Sequence, residues 1–179
     1  MELVVLLSED GAAIGTAPKA EVHTTDTALH LAFSCYLLND RGEVLVTRRA
    51  LEKLTWPGVW SNSFCGHPAP GEEFASAIAR RASDELGASV RDIELALPDF
   101  RYRAVDASGV VENEVCPVYF ARVAGELSPN PAEIAEWAWI EPRALAEAVS
   151  RAPFAFSPWL AMQLPQLLET STLRKEPTP

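Results

Sequence analysis

The stretch that decides the fold is residues 56–87, WPGVWSNSFCGHPAPGEEFASAIARRASDELG. An aromatic segment bent by a Pro-Gly pair leads into a polar loop over residues 61–71, and the sequence then predicts a helix over 72–86. Apolar residues recur at every fourth position, at Phe74, Ile78, Ala82 and Leu86. One stripe of the helix can therefore face a core. Glu72 and Glu73 are expected in the first turn, where carboxylates suit the helix dipole. Gly87 tolerates a positive φ and is expected to end the helix.

Length and composition predict one globular domain. The chain has 179 residues, of which 48% are hydrophobic and 22% charged, enough for a sizeable core. We expect a single catalytic domain over 1–169 and a polar, disordered tail over 170–179. No apolar run approaches the roughly 20 residues that span a bilayer, and the N-terminus lacks the features of a signal peptide.

Charge and cysteine usage narrow the function classes. The formal net charge of −10 argues against a nucleic-acid binder, which needs a basic surface. An anionic substrate would need metal ions and a few placed cations, since the overall field repels it. The three cysteines have no disulfide pattern, so we expect a protein of the reducing cytoplasm.

The remaining pattern predicts hairpins and helices on both sides of the central stretch. Strands are expected in pairs over 2–7 with 12–18, 30–38 with 43–48, and 100–105 with 112–123, together with single strands over 93–97 and 136–140. Helices are expected over 143–150 and over 158–168, the latter interrupted by Pro165. These elements predict an α/β sandwich with a mixed sheet.

Three histidines and two glutamates are candidate metal ligands. The histidines are His23, His30 and His67, and there are no others in the chain. Glu112 and Glu114 lie two apart in a predicted strand, so their side chains leave the same face and repel unless a positive charge lies between them. Together the five could complete a site for a divalent transition metal or Mg²⁺. Taken singly, each histidine is better explained by ordinary hydrogen bonds than by a metal.

Cys65 is a candidate reactive thiol because it lies two residues from His67 in a glycine-containing loop. A neighbouring metal or cation can activate a thiol in such a place. The alternative is a small packing residue, which is our interpretation of Cys35 and Cys116, each in a predicted apolar strand.

The loop and helix resemble the Nudix box, in which glutamates present a divalent cation to a diphosphate. The matching positions are Gly66, Glu72, Arg80, Asp84, Glu85 and Gly87. Arg81 stands where the usual box has Glu, and Asp84 replaces another Glu, so the resemblance supports the fold more strongly than it supports hydrolysis. The alternative is a surface helix of mixed charge.

Four short motifs resemble one family in their order and spacing, the type 1 isopentenyl-diphosphate isomerases. They are SFCGHP, FRYRA, VENEVCPV and AFSPW, and the resemblance runs from about Lys19 to Trp159. It implies a Nudix-like α/β/α sandwich with a mixed β-sheet and an added N-terminal β-hairpin. It also implies conversion of isopentenyl diphosphate to dimethylallyl diphosphate through a tertiary carbocation.

The same resemblance implies a role for each matching residue. The metal ligands fall on His23, His30, His67, Glu112 and Glu114, holding one Mn²⁺, Zn²⁺ or Mg²⁺ ion. The proton-transfer residues fall on Cys65 and Glu114, with Tyr102 beside Glu114. A second Mg²⁺ is implied at Glu85, the Cys65 backbone carbonyl and the substrate diphosphate. The diphosphate-binding cations fall on Lys19, Arg49, Lys53 and Arg81, and the aromatic face for the carbocation falls on Trp159. Without the resemblance, these cations would be solvated surface charges and Trp159 a core residue.

Two rival functions stay open at this point. One is a Nudix diphosphohydrolase, which would cleave a nucleoside diphosphate derivative, and the other is a non-catalytic Nudix-fold module that binds a metabolite. Glutamates missing from the helix weigh against the first, and intact Cys65 and Glu114 weigh against the second. In the isomerase interpretation, Glu114 with Tyr102 delivers one proton and Cys65 takes another, with the roles exchanged in the reverse direction. We expect a monomer that acts on a small diphosphate, with no nucleic-acid or membrane partner.

Overall fold

A computed structural model describes residues 2–174, which form two mixed β-sheets and five α-helices. The strands are β1 Leu3–Leu7, β2 Ala13–Pro18, β3 His30–Leu31, β4 Phe33–Leu38, β5 Val44–Arg49, β6 Trp60–Ser61, β7 Phe64–Gly66, β8 Ser89–Leu97, β9 Arg101–Val105, β10 Val111–Val115, β11 Val118–Ala124 and β12 Ile134–Ile140. The helices are α1 Lys19–Val22, α2 Phe74–Leu86, α3 Pro142–Arg151, α4 Pro158–Leu167 and α5 Ser171–Arg174, with a 3₁₀ turn at Pro153–Ala155.

The strands form two sheets, one of five strands and one of seven. The smaller sheet has the order β2-β1-β3-β10-β9, and the predicted N-terminal hairpin, β1 with β2, is confirmed at its edge. The larger sheet has the order β12-β5-β4-β11-β8, with β6 added to β5 and β7 added to β4. Both sheets combine parallel and antiparallel pairs, so the predicted mixed sheet is in fact two mixed sheets.

Two predicted long strands each break and pass from one sheet to the other. Residues 30–38 break at Ala32 and residues 112–123 break before Pro117, so neither is one continuous strand. The two broken segments run parallel, and the Ala32 amide donates to the Val115 carbonyl across the gap between the sheets. Pro117 has no N–H to continue a ladder, which explains why both segments change sheet at this level.

The predicted pairing of residues 30–38 with 43–48 is wrong except at its tip. Only Leu38 and Val44 pair, because the two strands separate and the central loop fills the space between them. There β7 pairs with β4 and β6 with β5, which sets Cys65 directly opposite Ser34. The motif loop therefore lies inside the sheet and not above it.

Helix α2 covers one face of the larger sheet as predicted, but it begins later. It starts at Phe74, and Glu72 lies before it with its carboxylate accepting from the Ala69 amide. Ile78 and Leu86 are fully buried against alternate residues of β4, while α3 and α4 pack on the opposite face. Gly87 ends α2 at φ 60°, as predicted. These layers confirm the α/β/α sandwich.

The C-terminal segment differs from its prediction in two places. Helix α4 continues through Pro165, because Leu164 and Leu167 on either side are buried and hold the last turn in place. The predicted disordered tail begins instead with the short helix Ser171–Arg174, in which the Thr172 hydroxyl donates to Glu94. The rest of that tail, 175–179, lies outside the described residues.

Candidate active site

Three imidazoles and a carboxylate converge on one point between the two sheets. His30 begins β3, His67 follows β7, His23 follows α1 and Glu114 lies on β10. Ligand atoms from all four lie within 4.8 Å of one another, and the ring centroids of the histidines are 5.1–5.7 Å apart. His30 meets Glu114 because the two are register partners in the parallel pair of β3 and β10.

The chemistry of this cluster fits a divalent cation. His30 Nδ1 lies 2.9 Å from the Ala28 carbonyl, to which it donates, so Nε2 is left to turn a lone pair toward the cluster. That Nε2 atom is 3.5 Å from Glu114 Oε1, and the corresponding atom of His67 is 3.2 Å from the same oxygen. Buried atoms without a hydrogen-bond partner include His23 Nε2 and His30 Nε2. A metal ion would satisfy such atoms.

Glu112 lies next to the cluster and contacts only one of its members, His23. Its Oε2 atom lies 2.9 Å from His23 Nε2, yet the two atoms are not aligned as a hydrogen bond and both lack a partner. Its Oε1 atom accepts from the Thr55 hydroxyl at 2.9 Å. Glu112 is outside the group of four whose ligand atoms meet, so the structure gathers four of the five predicted ligands and places the fifth against His23.

Burial and mutual contact set the ionisation of these groups. Burial favours the neutral acid of Glu114, but His30 and His67 outweigh it and hold the pKa of Glu114 well below its usual range. Burial likewise opposes charge on His30, yet contact with Glu114 raises the pKa of His30 overall. For His67 burial prevails, and the pKa lies below its ordinary value. Glu114 is therefore a carboxylate that attracts positive charge to this point.

Tyr102 lies beside Glu114, and Cys65 lines the same cavity. Tyr102 is the register partner of Glu114 in the antiparallel pair of β9 and β10. Burial, followed by the charge of Glu114, raises the pKa of Tyr102 well above its ordinary value, so the phenol keeps its proton. Burial also raises the pKa of Cys65 to about 12, so this group is a thiol at neutral pH.

The four predicted diphosphate-binding cations are each held by a neighbour. Lys19 donates to both carboxylate oxygens of Glu2, at 3.0 and 3.1 Å. Arg81 is buried and pairs with Glu85, and it lies 3.7 Å from Glu133. Residues Lys53 and Arg49 complete this side of the cavity.

Lys53 contacts Glu133, and both side chains are mostly buried. Burial lowers the pKa of Lys53 to about 8, although the charge of Glu85 favours the ammonium form. Arg49 donates to the Thr55 carbonyl at 2.8 Å. Its guanidinium carbon lies over the Trp159 ring, 5.4 Å from the centroid.

Trp159 is a core residue that also reaches the cavity. Only 3% of it is exposed, and its ring lies 5.8 Å from that of Tyr102 and 5.5 Å from that of Trp56. The indole N–H is satisfied by Asn62 Oδ1 at 2.8 Å and Ser61 Oγ at 2.9 Å. Trp159 is therefore a core residue that also lines the cavity, and its role toward a carbocation stays a prediction.

One cavity of about 530 Å³ brings these groups together. All the predicted site residues line it except His30, which lies fully buried behind His23 and His67. Glu85 lines the cavity but is engaged by Arg81 and does not belong to the cluster of four.

Sequence reasoning missed several residues of this cavity. Glu133 and Glu2 line it and contact the predicted cations, but each is far in sequence from most of its partners and no motif marks it. Asn62 could have been found from the sequence, since it lies three residues before Cys65 in the quoted stretch.

Comparison with known proteins identifies the family. Residues 28–160 match the family model described as NUDIX domain. Isopentenyl-diphosphate Delta-isomerase of Paenarthrobacter aurescens is 67% identical over 172 residues, covering 96% of this chain and 94% of the relative. The chain belongs to the isopentenyl-diphosphate Delta-isomerase family. Its members in Leifsonia xyli and Clavibacter michiganensis are 64% and 62% identical, over 95% and 93% of this chain and 93% and 86% of theirs.

Solved structures support the fold of the family. A protein of Deinococcus radiodurans has a TM-score of 0.69 at 21% identity, covering 93% of this chain and 99% of its own. A MutT NUDIX hydrolase of Burkholderia pseudomallei has a TM-score of 0.58 at 21% identity, covering 77% and 97%. At these identities the likeness concerns the fold alone. Within residues 2–174, no helix is both long and apolar enough to cross a membrane.

Proposed function

We propose that this chain converts isopentenyl diphosphate to dimethylallyl diphosphate, in isoprenoid biosynthesis. The observation that carries the proposal is one cavity lined both by Cys65, Glu114 and Tyr102 and by four cationic side chains. An alkene needs a placed acid and a placed base, while a diphosphate needs positive charge. Relatives named for this reaction match almost the whole chain.

The proton chemistry is proposed for Cys65 and Glu114. Adding a proton to the terminal carbon of the substrate gives a tertiary cation, and removing one from the carbon on the other side moves the double bond by one position. As the residues stand, the thiol holds a proton and Glu114 is ionised, which suits the reverse direction, in which Cys65 gives a proton and Glu114 takes one. The forward direction requires one proton to have moved from Cys65 to Glu114. Tyr102, protonated beside Glu114, can donate a hydrogen bond to it.

The cluster of imidazoles would hold one divalent ion, Mn²⁺, Zn²⁺ or Mg²⁺. His23, His30, His67 and Glu114 would bind it, with Glu112 next to His23 as the fifth ligand. When bound, such an ion would supply positive charge, fix the orientation of Glu114 and bias which of its two oxygens holds a proton. Glu85 and the Cys65 backbone carbonyl would hold a second ion, Mg²⁺, together with the substrate diphosphate.

The four cationic side chains that line the cavity are proposed to hold the diphosphate. Lys19, Lys53, Arg49 and Arg81 are all mostly buried and converge on the cavity. Charge-assisted hydrogen bonds from such groups are strong, and Arg favours two-point contact with phosphate oxygens. The Trp159 ring, which lies beside both the Arg49 guanidinium and the Tyr102 ring, would shield the carbocation from water and stabilise it by about 1–2 kcal/mol.

The rival hydrolase is disfavoured by the residue at position 81. Arg81 is buried in α2 and pairs with Glu85, where the usual Nudix box has a glutamate. A cation here binds a diphosphate without adding a carboxylate to the metal set that hydrolysis uses. A binding module without catalysis would have no use for a thiol at Cys65 and a carboxylate at Glu114 in the same cavity.

One assay separates the three functions. The metal-loaded protein is incubated with isopentenyl diphosphate and, separately, with nucleoside diphosphate derivatives, and products are followed by ³¹P and proton NMR. We expect the allylic isomer from the first and no phosphate or nucleotide release from the second. Hydrolysis products, or binding with no product, would overturn the proposal.

The setting is part of the proposal. We infer a small-molecule diphosphate as the only substrate class, and a monomer that works in the cytoplasm without nucleic-acid or membrane partners. All three cysteines are free thiols, as a reducing compartment favours. The acidic composition is consistent with the absence of a nucleic-acid partner.

A further inference from the structure

The sulfur of Cys65 is held between two buried polar side chains. It lies 3.4 Å from Asn62 Oδ1 and 3.4 Å from Ser34 Oγ. Ser34 reaches it because the two residues are directly opposite in the pair of β4 and β7, with side chains on the same face. Ser34 and Asn62 are both buried, which makes their polar contacts costly to lose.

The amide of Asn62 has only one orientation available. Its NH₂ group donates to the Cys35 carbonyl at 3.0 Å and to the Phe64 carbonyl at 2.9 Å. Its oxygen accepts from the indole of Trp159, which can only donate. A flipped amide would lose all three bonds, so Oδ1 is fixed toward the sulfur as an acceptor for its S–H.

Ser34 is supported from the side away from the cavity. Gln163 Nε2 donates to Ser34 Oγ at 2.9 Å, and Gln163 Oε1 accepts from the Tyr36 hydroxyl at 2.8 Å. Because Ser34 already accepts from Gln163, its own proton is directed to a sulfur, either that of Cys65 or that of Cys116 at 3.4 Å. Ser34, Tyr36 and Gln163 are fully buried, so water does not compete for these bonds.

We propose that Asn62 and Ser34 are positioning residues that aim the Cys65 sulfur into the cavity, with Gln163 holding Ser34 in place. The inference rests on the proposed function, since it gives a geometric role to a residue that the proposal makes reactive. One partner accepts from the thiol and the other can donate to the sulfur, so the sulfur stays in place whether or not it carries the proton. The same Asn62 oxygen ties the sulfur to the Trp159 ring, which sets the distance between the two.

The test compares Ser34→Ala and Asn62→Ala with the control Ser63→Ala. Ser63 is a fully buried serine of the same loop, and its hydroxyl bonds to Leu45 and Leu37 without touching Cys65. Each of the three changes removes buried hydrogen bonds, so each lowers the melting temperature. Only the first two alter the surroundings of the sulfur.

Two readouts are taken on the metal-loaded proteins: kcat and KM with isopentenyl diphosphate, and the rate at which iodoacetamide alkylates Cys65, followed by peptide mass spectrometry. We expect Ser34→Ala and Asn62→Ala to lower kcat by about 10–100-fold, the scale of a small misplacement, with KM within about twofold. The rate of Cys65 alkylation departs from the wild-type rate in both, because each variant loses a contact that fixes the sulfur. Ser63→Ala keeps the wild-type kcat and alkylation rate.

Wild-type kcat and alkylation in both variants, or an equal loss in Ser63→Ala, would overturn the inference. If one variant does not fold, the other decides. If the wild-type protein forms no isomer, the proposed function fails, while the alkylation rates still decide whether Asn62 and Ser34 position the sulfur.

Discussion

Replacing Gly66 by alanine tests how tightly the motif loop packs on helix α2. A Cβ atom at this position would lie 2.8 Å from Arg81 Cγ and 3.0 Å from the ring of Phe33. Arg81 Cγ is close to the backbone and Phe33 is fully buried, so neither can move away freely. Overpacking of this kind costs about 1–3 kcal/mol, which lowers the melting temperature of a domain this size by about 2–12 °C.

Displacement of Arg81 by the added Cβ atom is also expected to weaken substrate binding. We expect Gly66→Ala to raise KM for isopentenyl diphosphate more than it lowers kcat, because the side chain that moves is a proposed diphosphate ligand. Thermal unfolding followed by circular dichroism and steady-state kinetics measure the two effects. The control is Gly15→Ala, where a Cβ meets nothing within 4 Å. If Gly66→Ala is as stable as Gly15→Ala, the packing argument is refuted.

Three further predictions concern charge in the cavity. Because the pKa of Lys53 is about 8, its ammonium is lost as pH rises through that value. We therefore expect kcat/KM to fall above pH 8 in the wild-type protein and not in Lys53→Arg. The same fall in Lys53→Arg would show that Lys53 is not its cause. Glu133→Gln removes a carboxylate that competes for Lys53 and Arg81, so it should tighten pyrophosphate binding in calorimetry. The control Glu136→Gln changes an exposed carboxylate paired with Arg48 and should leave binding unchanged. Weaker binding by Glu133→Gln would contradict the argument. Exhaustive chelation should abolish isomer formation and lower the melting temperature, and Mg²⁺ with Mn²⁺ or Zn²⁺ should restore both. The melting temperature responds because a ligand at a hundred times its Kd stabilises the folded state by about 2.7 kcal/mol. Full activity in metal-free protein would disprove the need for a metal.

The sequence predicted those parts of the fold that depend on local pattern. The apolar stripe of α2 and its end at Gly87 follow from spacing and from the tolerance of glycine for positive φ, and both are confirmed. The candidate metal ligands could be named because their motifs match a family. The cluster of His23, His30, His67 and Glu114 brings four of them together.

What the sequence could not predict depends on long-range pairing. Pro117 marks the break in its own segment, but nothing local marks the matching break at Ala32, which arises because the two distant segments run parallel. Glu72 lies before α2 because its carboxylate bonds to Arg80 and to the Ala69 amide instead of capping the first turn. Contacts such as Lys53 with Glu133 join residues 80 positions apart, so periodicity carries no signal of them.

The central claim is that Cys65 and Glu114 carry the two proton transfers of a double-bond shift. It is tested most directly by proton NMR of isopentenyl diphosphate with the metal-loaded protein in deuterium oxide, alongside Cys65→Ala and Glu114→Gln. We predict dimethylallyl diphosphate that contains solvent deuterium from the wild-type protein, and almost none from either folded variant. Product without deuterium, or wild-type turnover by either variant, would contradict the claim.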